Sequence, residues 1–379
     1  MALFLEVVLA LFYPQMTLRR RRLATPSMLE ASNLLPYQLR PNAVAPLIRE
    51  EFNTTVRINS LGYRSDEFDK TKTERQFRVL AIGDSFTFGF GVENDETYSA
   101  RLQARLRAAH PGCDVEVINA GFASGQYPDT YYLYLREIGL ALEPDLVIVG
   151  FFVGNDVDHD LAGENVWTEV NEDGLPDRIS RPDVSFDGNN MASKKVPLRY
   201  RYPVLRNSHL VQGLASLVSS AFSAMRPPIV FYNQWMYRPN YEKRTTERVE
   251  MVQRMFSEMQ TLARERGVRF LVAMIPTREQ LLPDEYPFDD PPYSGNIDID
   301  KPQRVFAEFF VDNGIDFIDL LPLFRAAERK DQLYFRVDSH LTPNGNDVTG
   351  RILAESQMMA LALSAWRADG SRCAETRDR

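Results

Sequence analysis

The chain has 379 residues, 44% hydrophobic and 25% charged, enough for one large domain with a sizeable core. A formal net charge of −8 speaks against a nucleic-acid partner, which would favour a basic face. Cys113 and Cys373 show no C-x-x-C or zinc spacing, and Cys373 lies in a polar tail, so plain thiols are expected rather than a structural disulfide.

Ala2 to Tyr13 are apolar except for Glu6, and Arg19 to Arg22 follow. The run is shorter than the about 20 residues that span a bilayer. It also lacks the basic start and small-residue cleavage site of a signal peptide. Two readings stay open for residues 1–22. One is a packed or interfacial helix, giving a peripheral membrane contact; the other is the last turns of a membrane anchor. The compartment stays open with them: membrane-associated or extracytoplasmic for an anchor, cytoplasmic otherwise. Residues 23–76 are rich in Pro, Asn and charge and read as an arm packed on the main domain. Within them Asn59-Ser60-Leu61-Gly62-Tyr63-Arg64 is expected to turn between short extended pieces.

From residue 77 to 365 strands and helices alternate. Phe77 to Ile82 is a short apolar run ending at Gly83, as buried parallel strands do. Tyr98, Leu102 and Leu106 recur at helical spacing, and Val115 to Ile118 is the second strand. Tyr131, Leu135 and Ile138 mark a helix closed by Pro144. Leu146 to Phe152, almost wholly apolar, is the third strand and is expected at the centre. Residues 157–241 break the rhythm as an insertion, with an apolar helix around Leu210 to Met225. A long helix then places Val249, Val252, Phe256, Met259 and Ala263 on one face. Phe270 to Ile275 is the fourth strand, and a Pro-rich loop and a helix at 301–312 precede the fifth, Ile315 to Ile318. Thr342 N-caps a last helix with Pro343 at its first position, carrying Val348, Ile352, Met359 and Leu363. Residues 366–379 form a polar tail. Five strands with intervening helices predict an α/β fold with a parallel sheet covered on both faces. Sites in such sheets gather at the carboxyl ends of the strands.

Four short motifs fall at those ends: Gly83-Asp84-Ser85, Asn119-Ala120-Gly121, Gly154-Asn155-Asp156 and Asp338-Ser339-His340. Ser85 is the candidate nucleophile, and a serine hydroxyl needs a base within hydrogen-bond reach. Of His110, His159, His209 and His340, only His340 has an Asp placed to orient it and a helix behind it. Its imidazole would take the Ser85 proton and return it to the leaving group, with Asp338 holding the tautomer. The backbone N–H groups of Ser85 and Gly121 and the side-chain amide of Asn155 are the candidate donors to an oxyanion. Taken alone, Gly121 fits a plain strand-to-helix turn and Asn155 an Asx-turn equally well. His159 among Asp156, Asp158 and Asp160 suggests a metal, but with no second ligand cluster a solvated loop is the simpler reading. No metal and no cofactor is called for.

These motifs resemble those of the SGNH hydrolases, the GDSL-type esterase/lipase superfamily. Gly83-Asp84-Ser85-Phe86-Thr87-Phe88-Gly89 is similar to its nucleophile block, Gly121 and Asn155 to its oxyanion-hole residues, and His340 to its catalytic histidine. The resemblance covers residues 77–362. It implies a flavodoxin-like three-layer α/β/α sandwich and a Ser-His-Asp mechanism without metal. One position departs: the usual Asp three residues before the His is Val337 here, and Asp338 lies two before. That D-x-H spacing resembles branches acting on sugar O-acetyl groups, with Asp316 and Asp319 as acidic fallbacks. The insertion is rich in aromatics, among them Trp167, Phe186, Tyr200, Tyr202, Phe231, Tyr232, Trp235, Tyr237 and Tyr241. These suit sugar-ring faces and suit ordinary packing equally. The expectation is a serine esterase acting on O-acyl, foremost O-acetyl, esters of a carbohydrate. The alternatives are an O-acyltransferase with the same triad and a non-catalytic glycan-binding module.

Overall fold

The computed structural model describes residues 2–12, 28–123, 126–158, 168–179, 185–187, 190–192, 202, 205, 207–214, 217, 234–286, 288 and 296–367. Arg19 to Arg22, His159, Trp167, Tyr200, Phe231, Tyr232 and Cys373 lie outside them.

Helix α1 (Ala2–Phe12) comes first. The arm supplies four short strands paired as two antiparallel hairpins: β1 (Leu29–Glu30) with β2 (Gln38–Leu39), and β3 (Val44–Ile48) with β4 (Asn53–Arg57). The central sheet has five strands: β5 (Gln76–Gly83), β6 (Asp114–Gly121), β7 (Leu146–Phe152), β12 (Arg269–Ile275) and β13 (Asp316–Asp319). Between them fall the insertion's hairpin strands β8 (Thr168–Val170), β9 (Pro176–Ile179), β10 (Ser185–Asp187) and β11 (Asn190–Ala192). All neighbours in the central sheet are parallel, in the order β13-β12-β7-β5-β6. By order of appearance that is 2-1-3-4-5 read from the β6 edge, the flavodoxin-like arrangement that the resemblance implied. Every residue of β7 is buried, which explains its unbroken apolar run; β13, at the opposite edge from β6, buries none of its four residues.

After β5 the helices are α2 (Ser85–Phe88), α3 (Tyr98–Ala109), α4 (Pro128–Glu137), α5 (Lys243–Glu265), α6 (Arg278–Leu281), α7 (Lys301–Asp312), α8 (Leu320–Arg325), α9 (Pro343–Glu355) and α10 (Gln357–Arg367). One face of the sheet packs on α4, α5 and α7 through Tyr131, Phe256 and Phe306. The other packs on α3 and the end of the chain through Leu102, Leu353, Met359 and Leu363. Two layers of helices around one sheet make the sandwich.

Several local expectations change. The final helix is two, because Ser356 is extended (φ −69°, ψ 147°) and its hydroxyl accepts the Met359 N–H, starting a second helix as an N-cap would. That helix runs to Arg367, and Trp366 packs on Phe77 with ring centroids 5.4 Å apart, so the compact part outlasts residue 365. Helix α4 stops at Glu137, and a 3₁₀ turn (Gly139–Leu142) reaches Pro144. Cys113 is disulfide-bonded, against the expectation of a plain thiol.

Helix α1 leaves Leu3, Phe4, Leu11 and Phe12 at least 70% exposed, while Glu6 accepts hydrogen bonds from Ser208 Oγ and the N–H groups of His209 and Leu210. Among the described residues no helix is long and apolar enough to cross a membrane.

Candidate active site

Ser85 opens α2, directly after β5. Asp84 is the N-cap: its Oδ1 accepts the Phe86 N–H at 2.9 Å, and Gly89 closes the four-residue helix at φ 85°. The Ser85 N–H stands at the first helical position, where no intrahelical acceptor exists. The sheet makes room for this helix. Gly121, Gly83 and Gly150 stand side by side across β6, β5 and β7. A Cβ on Gly83 or Gly150 would come within 2.3 Å of Thr87 Oγ1, and one on Gly121 within 2.1 Å of the Phe88 nitrogen. Three adjacent residues without side chains let α2 sit down on the sheet edge, and Tyr98 pins it by donating to Thr87 Oγ1 at 2.9 Å.

His340 arrives from the loop before α9. The loop is pinched where Tyr334 bridges Leu341 and the Phe335 N–H donates to His340 O at 2.8 Å. Ser339 turns it at φ 67°, a left-handed conformation rare outside glycine. This turn puts Asp338 and His340 side by side. Asp338 Oδ1 lies 2.5 Å from His340 Nδ1, and His340 Nε2 lies 2.8 Å from Ser85 Oγ. Phe86 and Phe90 flank the imidazole, with ring centroids 4.9 and 4.8 Å away. The His340 and Asp338 side chains are 16% and 17% exposed, so the pair is shielded yet open on one side. Asp316 only begins β13, and Asp319 N-caps α8 by accepting the Leu321 N–H.

Asn155 follows β7, the neighbour of β5, so it stands where the strand order reverses. Its Nδ2 donates to Asp84 Oδ2 at 3.2 Å, and its Oδ1 is buried without a partner. Burial pushes the Asp84 carboxyl up to about 6, against the opposing pull of the Phe86 N–H, the His340 imidazole and the Asn155 amide. Asp156 is fully buried; it accepts the Tyr131 O–H at 2.8 Å and the Phe152 N–H at 2.9 Å and so ties down the turn that carries Asn155. Burial, then the nearby Asp84, raises its carboxyl well above the usual range. Asp158 pairs with Arg248 at 3.1 Å. Among the described residues no group of three or more His, Cys, Asp or Glu could hold a metal ion.

Gly121 is not brought forward as an open donor. Its N–H donates to Asn119 Oδ1 at 2.9 Å, and its Cα face is covered by Thr87 and Phe88. The described insertion aromatics nearest α5 are packing residues. Tyr237 is 2% exposed and bonded to Thr277 Oγ1 at 2.7 Å, Trp235 lies under Arg248, and Tyr241 lies under Lys301. Apolar rings in a long connection bury themselves first.

Sequence reasoning missed the residues that hold the site. Asp84 was read only as part of the Gly83-Asp84-Ser85 motif, and Asp156 as part of an acidic loop. Arg64 was seen only as a turn residue. It is 1% exposed, donates to Phe88 O (3.0 Å), Gly89 O (2.6 Å) and Val92 O, and grips the end of α2. Burial draws its guanidinium down to about 9.

Residues 231–370 match the family model described as an SGNH hydrolase-like domain, acetyltransferase AlgX. That stretch holds Asp338 and His340 but not Ser85, Gly121 or Asn155. The chain is similar to the probable alginate O-acetylase AlgJ of Pseudomonas syringae pv. tomato, 26% identical over 147 residues. The similarity covers 37% of this chain and 36% of that protein, so it spans little more than a third of either. Solved structures similar to the chain include a lipase/acylhydrolase from Enterococcus faecalis (14% identity, 75% of this chain and 96% of that one, TM-score 0.39). The acetyl xylan esterase AlAXEase is another (14% identity, 76% of this chain and 100% of that one, TM-score 0.39). Residues 231–370 are thus similar to an SGNH hydrolase-like domain, and the central sheet has the flavodoxin-like strand order.

Proposed function

We propose that this chain moves an O-acyl group, foremost acetyl, of a carbohydrate ester through an acyl-enzyme on Ser85. The observation that carries this reading is the unbroken line Asp338 Oδ1–His340 Nδ1–His340 Nε2–Ser85 Oγ, at 2.5 and 2.8 Å. His340 Nε2 takes the hydroxyl proton as Ser85 Oγ bonds to the carbonyl carbon. The tetrahedral oxyanion collapses, the C–O bond to the sugar breaks, and the sugar oxygen takes the proton from His340. Asp338 holds the imidazole with Nε2 free to accept and offsets the charge of the imidazolium. Water, activated by the same histidine, then releases the acid. The Ser85 N–H and the second Asn155 Nδ2 hydrogen serve the oxyanion; Asp84 orients that amide. Removing one such donor costs about two to three decades in kcat. Gly121 serves as the close-packed floor beneath α2.

A second reading replaces water with a sugar hydroxyl, making the chain an O-acyltransferase. The family description and the AlgJ similarity favour it. A peripheral membrane contact through residues 1–22 would fit either reading, and the exposed apolar side chains of α1 support it.

The test is labelling by a fluorophosphonate probe and turnover of p-nitrophenyl acetate, with Ser85→Ala and His340→Ala as controls. Both variants should lose labelling and turnover. Folded wild-type protein that never labels would sink the proposal in favour of a glycan-binding module. Adding an acceptor oligosaccharide separates the two fates: unchanged acetate release without sugar acetylation marks a hydrolase, and acetylated acceptor marks a transferase.

A further inference from the structure

We infer that Glu51, in the arm some 290 residues upstream of the histidine, is a positioning residue for the Asp338–His340 pair; the inference rests on the serine mechanism proposed above.

Glu51 sits in the tight connection between β3 and β4, closed by the Arg49 N–H donating to Phe52 O at 2.9 Å. Its carboxylate accepts three successive backbone N–H groups of the histidine loop. Oε1 takes Arg336 at 2.8 Å; Oε2 takes Val337 at 2.8 Å and Asp338 at 2.7 Å. Hydrogen bonds to an ionised acceptor are about twice as strong as neutral ones, and three from consecutive amides fix both the place and the tilt of the segment. The third N–H belongs to Asp338 itself, whose side chain holds His340.

The hairpin that presents Glu51 is anchored to the main domain. The Thr55 N–H donates to Glu93 Oε1 at 3.0 Å, and Asn94 both accepts from the Arg57 N–H and donates to Arg57 O. Phe52, next to Glu51, packs on Phe335 and Phe90 at 5.1 and 5.8 Å, and Phe90 in turn flanks the imidazole. The histidine loop is otherwise exposed at Val337 (62%) and bent through Ser339 at positive φ, a shape that needs an outside anchor to persist. The arm thus grips both halves of the site: Arg64 holds the end of α2 and Glu51 holds the Asp338 loop.

The experiment uses the full chain with Glu51→Ala and Glu51→Gln. In Glu51→Ala, kcat and the fluorophosphonate labelling rate should fall together by about 10- to 100-fold, with KM within about threefold of wild type. The downfield proton of His340 Nδ1–H, followed by NMR, should broaden or move upfield. Glu51→Gln keeps one acceptor oxygen and should fall between the two, which guards against misfolding of the alanine variant. Labelling at the wild-type rate together with an unchanged downfield proton in both variants would overturn the inference. If wild-type protein does not label, the proposed function fails instead, and the proton signal still decides whether Glu51 sets the pair's geometry.

Discussion

Replacing Gly121 with alanine separates two parts a glycine can play at a strand end. A Cβ there would lie 2.1 Å from the Phe88 nitrogen and 2.6 Å from both Phe88 Cα and the Thr87 carbonyl carbon. All three are backbone atoms of α2, so no rotamer change relieves the clash. Ordinary contact begins at 3.4 Å, so helix and strand must part by about 1.3 Å. Such overpacking costs about 1–3 kcal/mol, and the rigidity of both partners points to the upper end. Ser85 rides on the same helix, 2.8 Å from His340 Nε2. A shift of this size takes the hydroxyl past the about 3.2 Å reach of a catalytic base and should lower kcat/KM by about 100-fold. Urea unfolding and p-nitrophenyl acetate turnover read the two effects. A Gly121→Ala protein of wild-type stability would refute the packing account.

Asp84 should make stability depend on pH. Its carboxyl is raised from 3.8 to about 6 by burial, so the folded state holds the proton more tightly than the unfolded chain. That stabilisation is fully present below pH 3.8 and is lost as pH rises through about 6. Asp84→Asn keeps an N-cap oxygen for Phe86 and should flatten this part of the profile in urea titrations run from about pH 4 to pH 7. An unchanged slope would refute the assignment. At Ser339, with φ 67°, valine should cost about 1–2 kcal/mol, while glycine should be neutral or mildly stabilising. Equal unfolding midpoints for Ser339→Val and wild type would show that the turn is not strained.

Much of the fold was legible because its signals are local. The run Leu146 to Phe152 is apolar throughout because both faces of β7 are covered. The Val249, Val252, Phe256, Met259 and Ala263 stripe marked α5 because one side of that helix meets the core. Thr342 and Pro343 announced α9 because an N-cap and a fixed φ act within one turn. The split at Ser356 was missed because a cap inside a continuous apolar period is masked by the period itself. The donor reading of Gly121 turned on where its N–H points, and the Asn119 side chain two residues away decided that. The aromatics of the insertion could not be sorted into platform or packing without knowing what covers them.

The residues alone determined which strands form, that they run parallel, and that Ser85, Asn155, Asp338 and His340 lie just beyond strand ends or before a helix. Apolar periodicity, capping and strand-to-helix punctuation are short-range and write themselves into neighbouring letters. Tertiary structure alone decided what holds those residues in line. Glu51 reaches Asp338 across 287 positions, Arg64 grips α2, and three glycines from three strands make one floor. Such contacts depend on which surfaces the packed sheet and the arm bring together, and hydrogen-bond geometry at about 3 Å exists only once the chain has closed on itself.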